Sequence, residues 1–175
     1  MSQKFDLQIR NLTPADAAAY QAVRLLGLSE SPTAFSASLS DEENRTLDEI
    51  TARLTPGADG SSGVLGAFLG DELVGLLAVI QSRRSKLRHC AELAGMYVVP
   101  GARGRGIGGK LLDAAIRHAR TLSGVRQLKL GVNADNTAAR ALYHSRGFER
   151  TGSHPEALFI EGRFYDEEFY ILRLT

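Results

Sequence analysis

The stretch from Met96 to Lys110 constrains this chain more than any other. It reads Met-Tyr-Val-Val-Pro-Gly-Ala-Arg-Gly-Arg-Gly-Ile-Gly-Gly-Lys. The apolar run Ala91 to Val99 predicts a strand that ends at Pro100. Beyond the glycines, Leu111, Leu112, Ala115, Ile116 and Ala119 form one stripe of a helix reaching Leu122. A strand that enters glycines, which then open a helix, points several backbone N–H groups at one small volume. The positive end of the helix dipole points there too. Glycine keeps that volume free of side chains. A phosphate or pyrophosphate is the natural occupant. The bland alternative is a tight turn, but near-consecutive glycines beside Arg103 and Arg105 exceed what a turn needs.

Three phosphate-binding patterns compete for these glycines. Gly104, Gly106 and Gly109 fit G-x-G-x-x-G, the dinucleotide fingerprint, which requires an acid about 20 positions on. Arg126 to Val132 holds no acid, so that pattern fails. Gly104 to Lys110 nearly fits the P-loop, but Leu111 stands where a hydroxyl would hold magnesium. The third pattern, Arg103-x-x-Gly106-x-Gly108 after a strand closing in Val-x-Pro, fits throughout.

In that third pattern the chain resembles the GNAT superfamily of acyl-CoA-dependent N-acetyltransferases. A second motif carries the resemblance: Asn136-x-x-Ala139-x-x-Leu142-Tyr143-x-x-x-Gly147-Phe148. Two motifs in the right order are more specific than either alone. The segment Gly162 to Glu167, leading into Phe169-Tyr170-Ile171-Leu172, resembles the family's closing strands more weakly. The likeness is good from Val64 to Phe148 and loose at the flanks.

The rest of the chain suits a single domain over residues 1–175. Leu7 to Leu12 alternates as a strand. Thr13-Pro14-Ala15-Asp16 opens a helix running to about Leu26, with Gly27 as its stop. Ser29 to Ser40 reads as a loop and Asp41 to Leu54 as a second helix. Pro56 to Gly63 is a turn-rich connector. Val64 to Leu69 and Leu73 to Gln81 form a hairpin, and Val125 to Val132 is a further strand. Asn136 caps a short helix that Gly147 closes. Phe148 to Thr151 and Phe169 to Leu174 are strands, with Glu156 to Glu161 a candidate for another. The resemblance implies an α/β (α+β) fold with a mixed, mostly antiparallel sheet of about seven strands. About four helices flank it, and a V-shaped splay separates the central strands.

Composition narrows the function classes. At 43% hydrophobic and 23% charged residues, the chain is expected to fold rather than to remain disordered. With 21 Lys+Arg against 20 Asp+Glu it lacks the basic excess of a nucleic-acid binder. Its one cysteine, Cys90, excludes an internal disulfide and any Cys-rich zinc site. The four histidines have no metal-ligand spacing, so no metal is expected. No apolar run reaches the ~20 residues of a membrane span, and the start lacks a signal-peptide core. The expectation is a cytoplasmic protein without membrane or nucleic-acid partners, monomeric or homodimeric.

The resemblance implies roles residue by residue. Backbone groups of Met96, Tyr97 and Val98 would hold the acyl and pantetheine portion of acetyl-CoA, the co-substrate. The N–H of Val98 would polarise the thioester carbonyl. The N–H groups of Gly104, Arg105, Gly106, Ile107, Gly108 and Gly109 would hold the pyrophosphate, with Arg103 leading the motif. Arg105 or Lys110 would add a charged contact or remain solvated. Asn136 would cap its helix and contact the cofactor. Tyr143 is the family-matched acid for the departing thiolate; the plain alternative is a core tyrosine.

An alkylammonium with a pKa near ~10 must lose a proton before it attacks, so a base is required. Glu92 is the candidate. It stands six residues before Val98, and even spacing on one strand puts both on the same side of the sheet. The alternatives are a structural carboxylate or a water chain. The strand Leu128 to Val132, the family's other site for such an acid, holds Gly131 instead. The acceptor would be a small-molecule or peptide amine. Asp41, Glu42, Glu43, Asp48 and Glu49 read as an acidic patch, more simply a solvated helix face. An acyl-CoA sensor without turnover and a P-loop-like nucleotide enzyme are the rival readings.

Overall fold

The computed structural model describes residues 6–56 and 62–174. The chain start up to Phe5 and most of the connector predicted after Pro56 lie outside the described residues. The strands are β1 (Leu7–Asn11), β2 (Ser62–Leu69), β3 (Glu72–Gln81), β4 (Cys90–Val98), β5 (Gln127–Asn133), β6 (Glu149–Ile160) and β7 (Arg163–Arg173). The helices are α1 (Ala17–Glu30), α2 (Leu39–Glu42), α3 (Leu47–Leu54), α4 (Ile107–Thr121) and α5 (Thr137–Ser145). The strands form one sheet in the order β1-β2-β3-β4-β5-β7-β6. Every neighbouring pair is antiparallel except β4 and β5. That parallel pair holds at three positions only, Cys90–Gln127, Ala91–Leu128 and Glu92–Lys129, after which the strands part. This is the expected V-shaped opening.

Two apolar layers bury the two faces of the sheet. On one, Leu111, Leu112, Ala115 and Ala119 of α4 pack with Val74, Leu77, Leu93, Leu128 and Tyr143. On the other, Ala17, Tyr20 and Val23 of α1 and Ile50 of α3 pack with Leu73, Leu76 and Tyr97. The α4 stripe recurs at three- and four-residue spacing, so burying it holds the helix on the sheet.

Several expectations are corrected. The described residues contain five α-helices rather than about four. Helix α1 runs past Gly27 to Glu30 and stops before Pro32. Gly27 is there for close approach: a Cβ would lie 3.1 Å from both Phe35 and Tyr97. The helix predicted over 41–54 is two, because Ser38 with Asp41 and Thr46 with Glu49 each form a capping box. The break turns Glu42 inward to 5% exposure, where Arg24, Arg45 and Arg53 surround it. Glu42 is thus not part of a solvated acidic face. Burial pushes its carboxyl pKa up. The hydrogen bond from Arg53 and the three guanidinium charges more than offset this, so the net shift is downward. The closing strands are one long hairpin, turned at Glu161 and Gly162, both at positive φ.

Candidate active site

The site begins where β4 bends. Leu76 pairs with Tyr97 but Ala78 pairs with Ala94, so β4 carries one extra residue opposite Leu77. Gly95 sits in this bulge at φ +64°, a conformation few residues but glycine adopt. The extra residue inverts the alternation of side chains. Ala91 and Leu93 face the α4 layer before the bulge; Met96 and Val98 face it afterwards. Glu92 therefore points to the opposite face from Val98. The even spacing that placed them together fails, because alternation counts only along an unbroken pleat.

Beyond the bulge, Val99 N donates to Val74 O at 2.9 Å. Ladder alternation then turns the main chain of Val98 away from β3 and toward the opening beside β5. Its carbonyl accepts from Arg103 Nε at 2.9 Å. Its N–H faces the gap.

The glycine loop follows. Gly104 and Gly106 have φ of +76° and +73°. A Cβ at either would meet nothing within 4 Å, so these glycines serve backbone conformation and open space rather than packing. Gly106 is the N-cap of α4 and has no side chain to bond the first turn. The first helical bond is Lys110 N to Gly106 O, 3.1 Å. The N–H groups of Ile107, Gly108 and Gly109 thus lack helical acceptors. Ile107 sends its side chain into the core at 2% exposure, locking the helix start. Gly109 lets Arg146 close in: a Cβ would lie 2.7 Å from Nη2. Arg105 and Lys110 stay exposed.

Arg103 is engaged. It forms a two-pronged pair with Glu30, at 2.7 and 3.1 Å, and its guanidinium lies 5.5 Å from the Tyr97 ring. Tyr97 donates to Glu30 at 3.2 Å. The Arg103 hydrogen bond, then that of Ser31, holds the Glu30 carboxyl down at about 2. Arg103 thus ties the loop to β4 and α1.

Helix α5 supplies the remaining predicted residues. Asn136 caps it, accepting from Ala139 N at 3.1 Å. Tyr143 is 7% exposed, edge-on to Phe148 with ring centroids 5.8 Å apart. Its hydroxyl lies 3.5 Å from Met96 Sδ. Burial pushes the phenol up to about 12.

Two cavities flank the opening. One, of about 440 Å³, is lined by Met96, Val98, Arg103, Asn136, Leu142 and Tyr143. The other, of about 550 Å³, holds Tyr20, Arg24, Phe35, Glu92, Leu158 and Glu167. Leu93, Ala94, Gly95, Gly131, Val132 and Asn133 line both. The two cavities meet where β4 and β5 part. Glu92 is on the second side, half exposed, 3.5 Å from Lys129 Nζ. Arg24 and Glu167, which no local spacing in the sequence marks, also line this second cavity. Leu111 is fully buried under the sheet, which removes the magnesium position of a P-loop. No group of metal-ligating side chains occurs among the described residues. No described helix is long and apolar enough to cross a membrane.

An open strand, a cradle of free amides and a cavity on each side of one gap define a bisubstrate group-transfer site. Residues 28–148 match the model of the acetyltransferase (GNAT) family, and the chain belongs to that family. An aminoglycoside N(6')-acetyltransferase type 1 of Stenotrophomonas maltophilia is 32% identical over 82% of this chain and 86% of its own length. A mycothiol acetyltransferase of Corynebacterium glutamicum is 40% identical over 53% of this chain, which spans only 30% of that protein. An acetyltransferase of Salmonella typhimurium, solved with its cofactor acetyl-CoA, superposes with a TM-score of 0.81 at 27% identity. It covers 97% of this chain and 95% of its own.

Proposed function

We propose that this protein moves an acetyl group from acetyl-CoA to a primary amine of a small molecule or peptide, by direct attack in a ternary complex. The observation that carries this reading is the meeting of the two cavities at the β4–β5 opening, with the Val98 main chain turned into the gap. The Salmonella relative's acetyl-CoA supports the choice of co-substrate. That co-substrate in turn supports a cytoplasmic setting. The residues present fit it: free amides of residues 106–109 suit a pyrophosphate, and no side chain fills the space above Gly104 and Gly106. Met96, Tyr97 and Asn136 line the way from that cradle to the gap. Arg103 keeps the loop in place through Glu30.

Each proton has a place to go. Glu92, on the acceptor side, takes one proton from the ammonium, directly or through water. The nitrogen then forms a bond to the acyl carbon while the Val98 N–H holds the developing oxyanion. The carbon–sulfur bond breaks, and Tyr143 gives its proton to the departing sulfur. A phenol held near 12 starts protonated at any physiological pH. The second proton leaving nitrogen restores the phenol. The net products are an amide, free CoA and one proton.

Steady-state release of CoA with a panel of amines tests the reading. Turnover is expected with at least one amine, and Glu92→Gln should lower it about 10²-fold or more while CoA affinity is kept. CoA binding without turnover on any amine would leave a sensor, and absence of CoA binding would remove the reading.

A further inference from the structure

The acceptor-side cavity carries opposite charges on its two lips. The lips are glycines, Gly95 on β4 and Gly131 on β5. Arg24 of α1 covers the first: a Cβ on Gly95 would lie 3.1 Å from Arg24 Nη1. Glu167 of β7 covers the second: a Cβ on Gly131 would lie 2.5 Å from its Oε1 and 2.9 Å from its Cδ. The pairing of Asn133 with Glu167 sets that reach. A guanidinium and a carboxylate thus occupy the places the two lip residues leave empty.

The fold leaves both groups short of partners. Arg24 is 14% exposed along its side chain, and its Nε is buried with no hydrogen-bond partner. Its Nη2 lies 3.7 Å from Glu42 Oε1, but Glu42 already receives Arg45 and Arg53 at 3.0 Å each. One carboxylate therefore faces three guanidinium groups. The Phe35 ring, 5.1 Å away, steadies the Arg24 guanidinium without neutralising it. Among the described residues, half-buried Glu167 makes no ion pair; Arg140 and Arg150 bind its neighbour Glu168 instead. Charges drawn partly out of water with incomplete pairing are costly, and a ligand that completes both pairs recovers part of that cost.

We propose that the acceptor is a zwitterion of the free amino-acid type. Its carboxylate lies on Arg24 and its ammonium on Glu167, which holds the nitrogen at the gap opposite the Val98 N–H. This rests on the acetyltransfer reading and narrows its acceptor class. Gly131 is part of the device, because any side chain there would evict the Glu167 carboxylate.

The test compares free amino acids with the amines obtained by removing only their carboxylate, using acetyl-CoA and the full chain. The amino acids should show kcat/KM at least tenfold higher. Arg24→Gln should erase that preference through KM, its loss with amino acids exceeding its loss with amines at least tenfold. Gly131→Ala displaces only the end of a flexible side chain, so it should fold and should raise acceptor KM about tenfold without changing CoA affinity. It thus tests the site even if Arg24→Gln fails to fold. Equal use of both acceptor sets, an equal loss from Arg24→Gln on both, or an unchanged KM in Gly131→Ala would overturn the proposal and leave acetyltransfer standing. Failure to bind CoA would overturn both.

Discussion

The two faces of the sheet offer different chemical groups to their cavities. On the α4 face the groups available to a ligand are main-chain amides: Val98 N–H and those of residues 106–109, exposed by glycines at positive φ. Arg103, which leads the motif, is tied down by Glu30, while Arg105 and Lys110 stay exposed at the loop's rim. On the α1 face the groups are side chains of opposite charge from four distant elements: Arg24, Glu92, Arg53 and Glu167. A backbone cradle depends little on side-chain identity, so it suits a partner common to a whole family. A side-chain pocket changes with each substitution, so it suits an individual acceptor. The split also explains why relatives that share the fold carry different acceptors in their names.

Substitutions on each face can break or sharpen that contrast. The largest effect is expected at the boundary. Tyr143→Phe should lower kcat about 10²–10⁴-fold with little change in CoA affinity by calorimetry. The wild-type rate should show no alkaline limb from this residue until the pH nears 12, since burial holds the phenol there. Equal kcat in the variant would remove Tyr143 as the acid. Next comes Glu42→Ala on the side-chain face, which leaves Arg24 and Arg53 facing no carboxylate and Arg45 only Glu49. It should cost about 3 kcal/mol in urea denaturation, while the folded fraction keeps its CoA affinity. A parallel loss of CoA affinity would mean that the faces are not separable.

On the backbone face, Gly106→Ala forces a side chain into the left-handed region at roughly 1–2 kcal/mol. CoA affinity should fall about tenfold by calorimetry, with acceptor KM unchanged. The smallest effect belongs to Glu30. Its pKa in the fold is lowered from 4.5 to about 2, so its stabilisation is full above pH 4.5 and is lost as pH falls toward 2. Glu30→Gln should flatten the acid slope of the melting temperature in that window. The pair is partly exposed, so screening keeps the change small.

How legible each face was in the sequence follows from the same contrast. The amide cradle was readable because positive φ demands glycine, and consecutive demands leave a spacing. Asn136 and Tyr143 were readable because cap and helix face are local relations. The acceptor face was not. Glu92 does line the second cavity, but even spacing misjudges its facing: the bulge at Gly95 inserts one residue and inverts every later side chain. Glu42 read as a solvent-facing acid until Thr46 and Glu49 proved to start a new helix. Arg24 and Glu167 come together only through the packing of α1 and the pairing of β5 with β7, which no local pattern announces. Gly27 misled in the opposite sense, since the close approach of Phe35 and Tyr97 leaves no trace in its neighbours.

A crystal structure of the protein with CoA and an amine acceptor tests the account most directly. The pyrophosphate should lie within hydrogen-bond distance of the amides of residues 106–109, and the thiol should reach the gap beside Val98. The amine should approach from the Glu92 side, so that the sheet stands between the two ligands except at the β4–β5 opening. A pyrophosphate bound elsewhere, or both ligands entering from one face, would contradict it.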